Sequence, residues 1–305
     1  MFFFFKSPNS ADKCIVLPNI NNWFGLLDNS YAEINNLYSG QRVTMDLRNI
    51  NFLRPEGVLM LLMFTLEIYR KTNQKVTIVN VIRILQTYLD RLGFFKFEHI
   101  NIDKNLLWIG NANPNPDSKA LLPITKLTSP EDVVLHSIRF RELLLSWYGN
   151  PELHSYCRYA YNIMSELCGN GVDHSQLGEQ TGECFCIVQK YKYKDAPEIR
   201  LAVGDIGVGI KAHLTGIFGI NRFQADSTWI QRALSGVSSR RTGSSGGMGL
   251  QGVKAITQDN NSSFVLRSGK GLVHIGKNEV AIDYGQPFAG TQAVINLRPG
   301  LKYIC

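Results

Sequence analysis

Three polar side chains near the middle of the chain have the types and the spacing for chemistry. Glu166, Asn170 and Asp173 lie four and three residues apart in the run SELCGNGVDHS. On a helix this spacing places all three on one face. A carboxylate beside an amide can activate a water or a hydroxyl, and their oxygens suit a hard cation such as Mg²⁺. The run therefore predicts a helix whose polar face is directed at a ligand.

Two glycine-rich segments further along the chain supply complementary chemistry. In LAVGDIGVGI (201–210) an apolar strand leads into Asp205, with Gly207 and Gly209 close behind. A carboxylate accepts a hydrogen bond from an exocyclic amine such as that of adenine, and glycines let a flat ligand approach the backbone. In RTGSSGGMGLQGV (241–253) glycines precede a predicted helix, whose first N–H groups favour phosphate. Together the three segments predict a nucleotide site.

Each of these segments also has a structural interpretation when it is taken alone. A DxGxG run is common in turns, GGMGL can be a flexible connector, and polar residues four apart usually form a solvated helix face. Their occurrence in this order within one half of the chain favours the functional interpretation.

The ordered set resembles the GHKL ATPase superfamily, whose Bergerat-type domain is shared by gyrase, MutL, the ninety-kilodalton chaperone, sensor histidine kinases and anti-sigma-factor serine kinases. ELCGNGVDHS resembles the N box, DIGVGI and GGMGL the two glycine boxes, and AGTQAVINL the closing Gly-Thr strand. The resemblance covers roughly residues 130–300. It implies a domain that binds ATP and Mg²⁺.

The resemblance also assigns roles at the metal and the base. It implies that Asn170 coordinates Mg²⁺ and that Glu166 is the general base. Asp205 would accept a hydrogen bond from the adenine amino group, with Gly207 and Gly209 lining the base pocket. These implications agree with the chemistry of the residues themselves.

Further roles follow from the resemblance for the phosphates and the lid. Gly247, Gly249 and Leu250 would begin the helix that meets the phosphates, and Thr291 would support the adenine side. The segment 211–246 would form the ATP lid, a mobile loop that closes over the nucleotide.

The pattern of apolar residues predicts an α/β protein of two domains. Strand and helix signals alternate as β-α-β-α over the first hundred residues, and the composition between 101 and 130 shifts to Asn, Pro, Asp and Ser. We therefore predict an N-terminal domain over residues 1–115 and a second over 116–305, an α/β-sandwich Bergerat-fold ATPase domain by its resemblance.

The N-terminal domain resembles the STAS domain of anti-anti-sigma factors in the stretch VTMDLRNINFLRPEGVLMLL. That family carries a phosphorylatable Ser before the helix, where this chain has Arg54, Pro55 and Glu56. Because none of these side chains bears a hydroxyl, the resemblance implies a STAS-like domain that docks a protein partner or mediates dimerisation and is not phosphorylated there.

Composition limits the location and the partners. The chain has 305 residues, 44% of them hydrophobic, and a formal charge of +7, which favours anionic partners. Since the basic residues are scattered along the sequence, we do not expect nucleic acid to be one of these partners. The six cysteines lack metal-binding spacing, and we find neither a signal peptide nor a membrane span. We therefore predict a cytoplasmic protein with reduced thiols and no membrane segment.

Three functions fit these predictions. The first is a regulatory ATPase or an anti-sigma-type Ser/Thr protein kinase, and the second is a slow ATP-dependent conformational switch. The third is a nonenzymatic module in which ATP holds an interface together, including that of a homodimer. Glu166 favours the first two, because a structural site needs no base. Histidine-kinase-like phosphotransfer is the weakest alternative, because the surroundings of His136 do not match the phosphoacceptor motif.

Overall fold

Two sheets of opposite type organise the chain, one in each of two units. The computed structural model describes residues 12–18, 27–103, 121–149, 151–175, 182–192, 197–218, 223–237, 249–260 and 262–298. One unit comprises Met1–Leu53 and Leu61–Pro114, and the other comprises Arg54–Met60 and Asn115–Cys305. The division near residue 115 lies beside the predicted boundary, but the segment Arg54–Met60 groups with the second unit.

The N-terminal unit contains a parallel sheet whose strands follow one another in chain order. The strands are β1 (Lys13–Val16), β2 (Val43–Asp46), β3 (Val76–Val79) and β4 (Ile100–Ile102). The helices that alternate with them are α1 (Leu27–Asn35), α2 (Pro55–Thr72) and α3 (Arg83–Arg91). The predicted order is confirmed for β2, α2, β3 and α3. Sequence analysis missed β1 and β4, because strands of three or four residues carry little periodicity, and it missed the largely polar α1.

The C-terminal unit is a helical layer on an antiparallel sheet of strand order β5-β6-β7-β9-β8. The strands are β5 (Leu121–Leu127), β6 (Cys184–Lys192), β7 (Pro197–Gly204), β8 (Ser263–Ile275) and β9 (Glu279–Leu297). The helices are α4 (Pro130–Trp147), α5 (His154–His174), α6 (Gly209–Phe218), α7 (Asp226–Leu234) and α8 (Gly249–Asp259). The observed architecture is therefore mixed α/β.

The start of α4 shows how local sequence fixes a helix. The Ser129 side chain accepts a hydrogen bond from the backbone N–H of Asp132, and the Asp132 carboxylate accepts one from the backbone N–H of Ser129. With Pro130 in the first turn, this capping box satisfies N–H groups that the helix itself leaves without partners. The run SPED, in which Ser129 precedes Pro130 and two acidic residues, predicts this N-cap from sequence, and the structure confirms it.

Two predictions about the C-terminal unit are wrong. The runs FVLRSG, GLVHIG, EVAIDYG and TQAVINLRP predict four short strands after residue 262. Instead, β8 and β9 form one long hairpin, because strands can continue through the glycines within them. The resemblance implies a loop over 211–246 as the ATP lid, yet most of α6 and all of α7 lie inside that range, so those residues are helical. Trp229 and Ile230 of α7 are buried, and this packing makes the segment helical.

The core of the C-terminal unit lies between its helices and the sheet. Phe140 of α4 and Leu167 of α5 pack with Leu201 of β7 in one buried cluster. Cys184 and Cys186 are buried free thiols in the same cluster, as the alternation of β6 predicts. Among the described helices we find none with both the length and the hydropathy needed to cross a bilayer.

Candidate functional site

A cavity of about 300 Å³ opens between the helical layer and the sheet of the C-terminal unit. Its walls come from α5, α6, α7 and α8 and from the strands β7, β8 and β9. Seven residues predicted from sequence line it: Glu166, Asn170, Asp205, Gly209, Gly249, Leu250 and Thr291. Segments as distant in sequence as the N-box-like run and the closing strand thus meet around one space.

Other predicted residues lie elsewhere. Asp173 is on α5 but does not line the cavity, and Gly207 supports the wall without lining it. Within the segment 211–246, Arg240 and Arg241 are further candidates for phosphate contact by their charge, but they and Gly247 fall outside the described residues. The helix predicted to meet the phosphates is therefore described only from Gly249.

Asp205 is held rigidly on the sheet side of the cavity. It follows β7 directly and is only 6% exposed. Its Oδ1 accepts a hydrogen bond from Gly207 N at 2.8 Å, and its backbone N donates to Thr291 O at 2.9 Å. Gly290 has φ +77°, and a Cβ there would collide with the Asp205 carbonyl and lie 2.6 Å from Oδ1. Only glycine at position 290 permits this approach.

The glycine at 207 serves close packing. A Cβ on Gly207 would overlap the backbone of Ser175, the residue that follows α5. The segment after β7 therefore lies directly against the end of α5. Gly207 fixes Asp205 through its N–H and admits this backbone contact, while it does not itself line the cavity.

Ser268 joins three parts of the cavity wall. Its Oγ accepts a hydrogen bond from Ile210 N at 2.9 Å, donates to Gly290 O at 2.9 Å and lies 3.2 Å from Thr291 Oγ1. Sequence analysis missed Ser268, because nothing in the local run FVLRSG shows that it lies beside residues 22 and 58 positions away.

The helix side of the cavity presents Glu166 and Asn170. Asn170 Nδ2 donates to Glu166 Oε1 at 2.9 Å, one helical turn away, and both side chains are partly exposed. This bond uses a donor of the amide and leaves Asn170 Oδ1 as an acceptor that suits Mg²⁺. The described part of the chain contains no cluster of three or more His, Cys, Asp or Glu able to hold a metal. A cation here would therefore need ligand oxygens and water to complete its coordination.

Two histidines that sequence analysis missed also line the cavity. His174 ends α5 and His213 lies on α6, and their ring centroids are 4.3 Å apart at an interplanar angle of 43°. Burial lowers the pKa of His213, which favours its neutral form. The pair adds an aromatic surface to the wall.

The start of α8 lies on the same cavity. Gly249 has φ +68°, and a Cβ there would meet no atom of the described residues within 4 Å. Gly249 and Leu250 line the cavity. A helix N-terminus carries partial positive charge, which suits an anion such as phosphate.

His136, the residue considered as a phosphoacceptor in the histidine-kinase alternative, is buried in α4. It is 6% exposed, and desolvation, together with the positive charge of Arg139, lowers its pKa to about 4. A phosphoryl donor cannot reach such a ring without local unfolding. This placement speaks against the histidine-kinase alternative.

Comparison with known proteins leaves the family open. No protein-family model matches the sequence, and no curated protein matches it significantly.

Proposed function

We propose that the C-terminal unit binds ATP together with Mg²⁺, as a GHKL-type ATPase or protein kinase. The observation that supports this proposal is the convergence of seven residues from four separate sequence segments on one cavity. Each part of the cavity wall offers a different kind of group. The sheet side offers hydrogen-bond acceptors, α5 offers side-chain oxygens that suit a cation, and the N-terminus of α8 suits phosphate.

At the sheet side, the buried Asp205 carboxylate would accept a hydrogen bond from the exocyclic amine of adenine. Its second role, accepting from Gly207 N, orients the group before any ligand arrives. Preorganised polar groups cost little to order when a ligand binds.

At the helix side, Asn170 would hold Mg²⁺ through Oδ1, and phosphate oxygens and water would complete the shell. The metal would neutralise phosphate charge. Glu166, hydrogen-bonded to Asn170, would accept the proton of the attacking water or hydroxyl. The α8 N-terminus would bind phosphate oxygens through its N–H groups.

The binding proposal is tested by Asp205→Asn in titration calorimetry with ATP and Mg²⁺. Asn keeps an oxygen for Gly207 N but turns an NH₂ group toward the amine of the base, so we expect affinity to fall about 100-fold or more. Glu166→Ala is the matched control, which should bind ATP nearly as the wild type does. Unchanged ATP affinity in the Asp205 variant would remove this cavity as the adenine site.

The reaction is separated from binding by following γ-labelled ATP with purified protein, alone and with cell extract. Label on a protein in the extract, lost in the Glu166 variant, would identify a kinase and its substrate. Free phosphate alone would identify an ATPase switch. Bound ATP without either product would favour the nonenzymatic interface, so Glu166 would not be a base.

We further propose that the N-terminal unit docks a protein partner. Arg54, Pro55 and Glu56 stand at the start of α2, where the STAS-like run has its counterpart of the phosphorylatable Ser, although the segment Arg54–Met60 groups with the C-terminal unit. Absence of a hydroxyl at these three positions supports constitutive docking. Deleting residues 1–114 removes the N-terminal unit together with the segment Arg54–Met60 and should abolish partner capture, and retained capture would contradict the assignment.

A further inference from the structure

We propose that Ser268, which lies behind the cavity wall, sets the hydrogen-bonding polarity of Thr291 and thereby selects a 6-amino purine over a 6-oxo purine. The inference rests on the proposed function and assigns a specificity-determining role to a residue outside the cavity lining.

The argument begins with the single proton of the Ser268 hydroxyl. That proton is donated to Gly290 O at 2.9 Å, because a carbonyl can only accept. Ser268 Oγ at the same time accepts from Ile210 N at 2.9 Å. One acceptor position remains on Ser268, and its remaining contact is with Thr291 Oγ1 at 3.2 Å.

The polarity of Thr291 follows from this count. Since Ser268 has no second proton to give, Thr291 must be the donor in the contact between the two hydroxyls. Its own proton is then committed to the wall, and only lone pairs of Oγ1 remain for the cavity that Thr291 lines. Thr291 therefore acts as an acceptor toward a ligand.

Two acceptors consequently face the same end of the cavity. The Asp205 carboxylate accepts when ionised, and its backbone N donates to Thr291 O, so both residues belong to one stretch of wall. An amino group donates to such a pair, whereas a carbonyl oxygen in its place would face acceptors without a proton between them. Leaving a buried acceptor without a donor costs more binding free energy than one well-formed hydrogen bond contributes.

The surroundings hold Ser268 in this role. The residue is 3% exposed, and a Cβ on Gly209 would lie 2.8 Å from Ser268 Oγ. The absence of a Cβ on Gly209 therefore admits the Ser268 hydroxyl to the first turn of α6. Ser268 is a positioning residue, because it acts through Thr291.

The test compares the affinities of ATP and inosine triphosphate, which differ at the 6-position of the purine, in the wild type and in Ser268→Ala. Without Ser268, Thr291 can rotate its proton toward the ligand, so we expect the ratio of the two affinities to fall about tenfold. Ser268→Thr keeps the hydroxyl and should restore the ratio. Thr291→Val should lower it similarly, with little further loss in the double variant.

Several outcomes would overturn the inference. If Ser268→Ala weakens both nucleotides equally, the residue is only structural, since a general loosening of the wall does not change the ratio. If Ser268→Ala does not fold, Thr291→Val carries the test, and an unchanged ratio there refutes the role of Thr291 as acceptor. A wild type that binds neither nucleotide would instead refute the proposed function.

Discussion

The two sides of the cavity are built differently. On the sheet side, Asp205 and Thr291 are fixed by backbone hydrogen bonds, by Ser268 and by the close approach of Gly290. On the helix side, Glu166 and Asn170 are partly exposed, and the hydrogen bond between them is local. A rigid wall suits recognition, whereas groups that rearrange around a metal and phosphates suit reaction. The difference suggests that substitutions can separate affinity from turnover.

The largest effect should come from Glu166→Gln, which tests the helix side. Gln keeps an oxygen for Asn170 Nδ2 but is a poor base, so the turnover number should fall about 10²- to 10⁴-fold. Affinity for ATP should stay within about threefold of the wild type, because the sheet side is untouched. Steady-state kinetics and calorimetry measure the two quantities. A matching loss of affinity would break the division between the two sides. Arg158→Gln, exposed on the same helix, is the control.

On the sheet side, Gly290→Ala should lower the free energy of unfolding by about 2–5 kcal/mol, because it adds positive-φ strain and a collision with Asp205. Gly249→Ala is the matched control, since Gly249 also has positive φ but an open surrounding, and should cost about 1–2 kcal/mol. Urea unfolding measures both. Equal losses would show that backbone strain alone, and not packing against Asp205, requires Gly290.

The helical layer can be probed separately through pH. The folded-state pKa of His136 is about 4, below its ordinary value of 6.5, so the unfolded chain binds more protons between these values. Stability from this residue is fully present above about pH 6.5 and decreases by about 3 kcal/mol as pH falls through about 4. His136→Leu should remove this part of the pH dependence in urea unfolding between about pH 7 and 4.5. Identical slopes for the two proteins would contradict the burial of a neutral ring.

The smallest effect concerns two glycines of α5 that lie two residues apart. A Cβ on Gly171 would lie 2.7 Å from Cys184 Sγ, so Gly171→Ala should destabilise the protein by about 1–3 kcal/mol. No atom lies within 4 Å of a Cβ on Gly169, so Gly169→Ala should stabilise the helix by about 0.5–1 kcal/mol. Thermal unfolding orders the two variants. Equal shifts would mean that helix propensity alone, and not contact with β6, decides the cost.

Sequence patterns predicted those parts of the candidate site that depend on local order. The four-residue spacing of Glu166 and Asn170 determines a shared helix face, and both residues line the cavity. The apolar run before Asp205 likewise predicted the strand that leads into this residue. Asp173 shares that helix face but does not line the cavity, because residue spacing predicts a helix face and not how far the cavity extends along it.

Local patterns also mispredicted the secondary structure of the segment 211–246 and of the β8–β9 hairpin, because both depend on contacts with distant residues. Gly and Ser between 211 and 246 indicate a loop when they are taken alone, but burial of Trp229 and Ile230 stabilises α7. Tertiary packing contributes more to a short helix than its intrinsic propensity does. Likewise, pairing with β8 carries β9 through its glycines.

Local sequence is sufficient to predict the two-part α/β organisation, the capped start of α4, and the types of residue that line the cavity. Those features rest on interactions within a few residues, which periodicity and capping rules describe. Only the tertiary structure decided that Ser268 contacts Ile210 and Thr291, and that Gly207 and Gly290 enclose Asp205. Such contacts join distant segments whose meeting depends on how the whole sheet and its helices pack, and no local pattern records that arrangement.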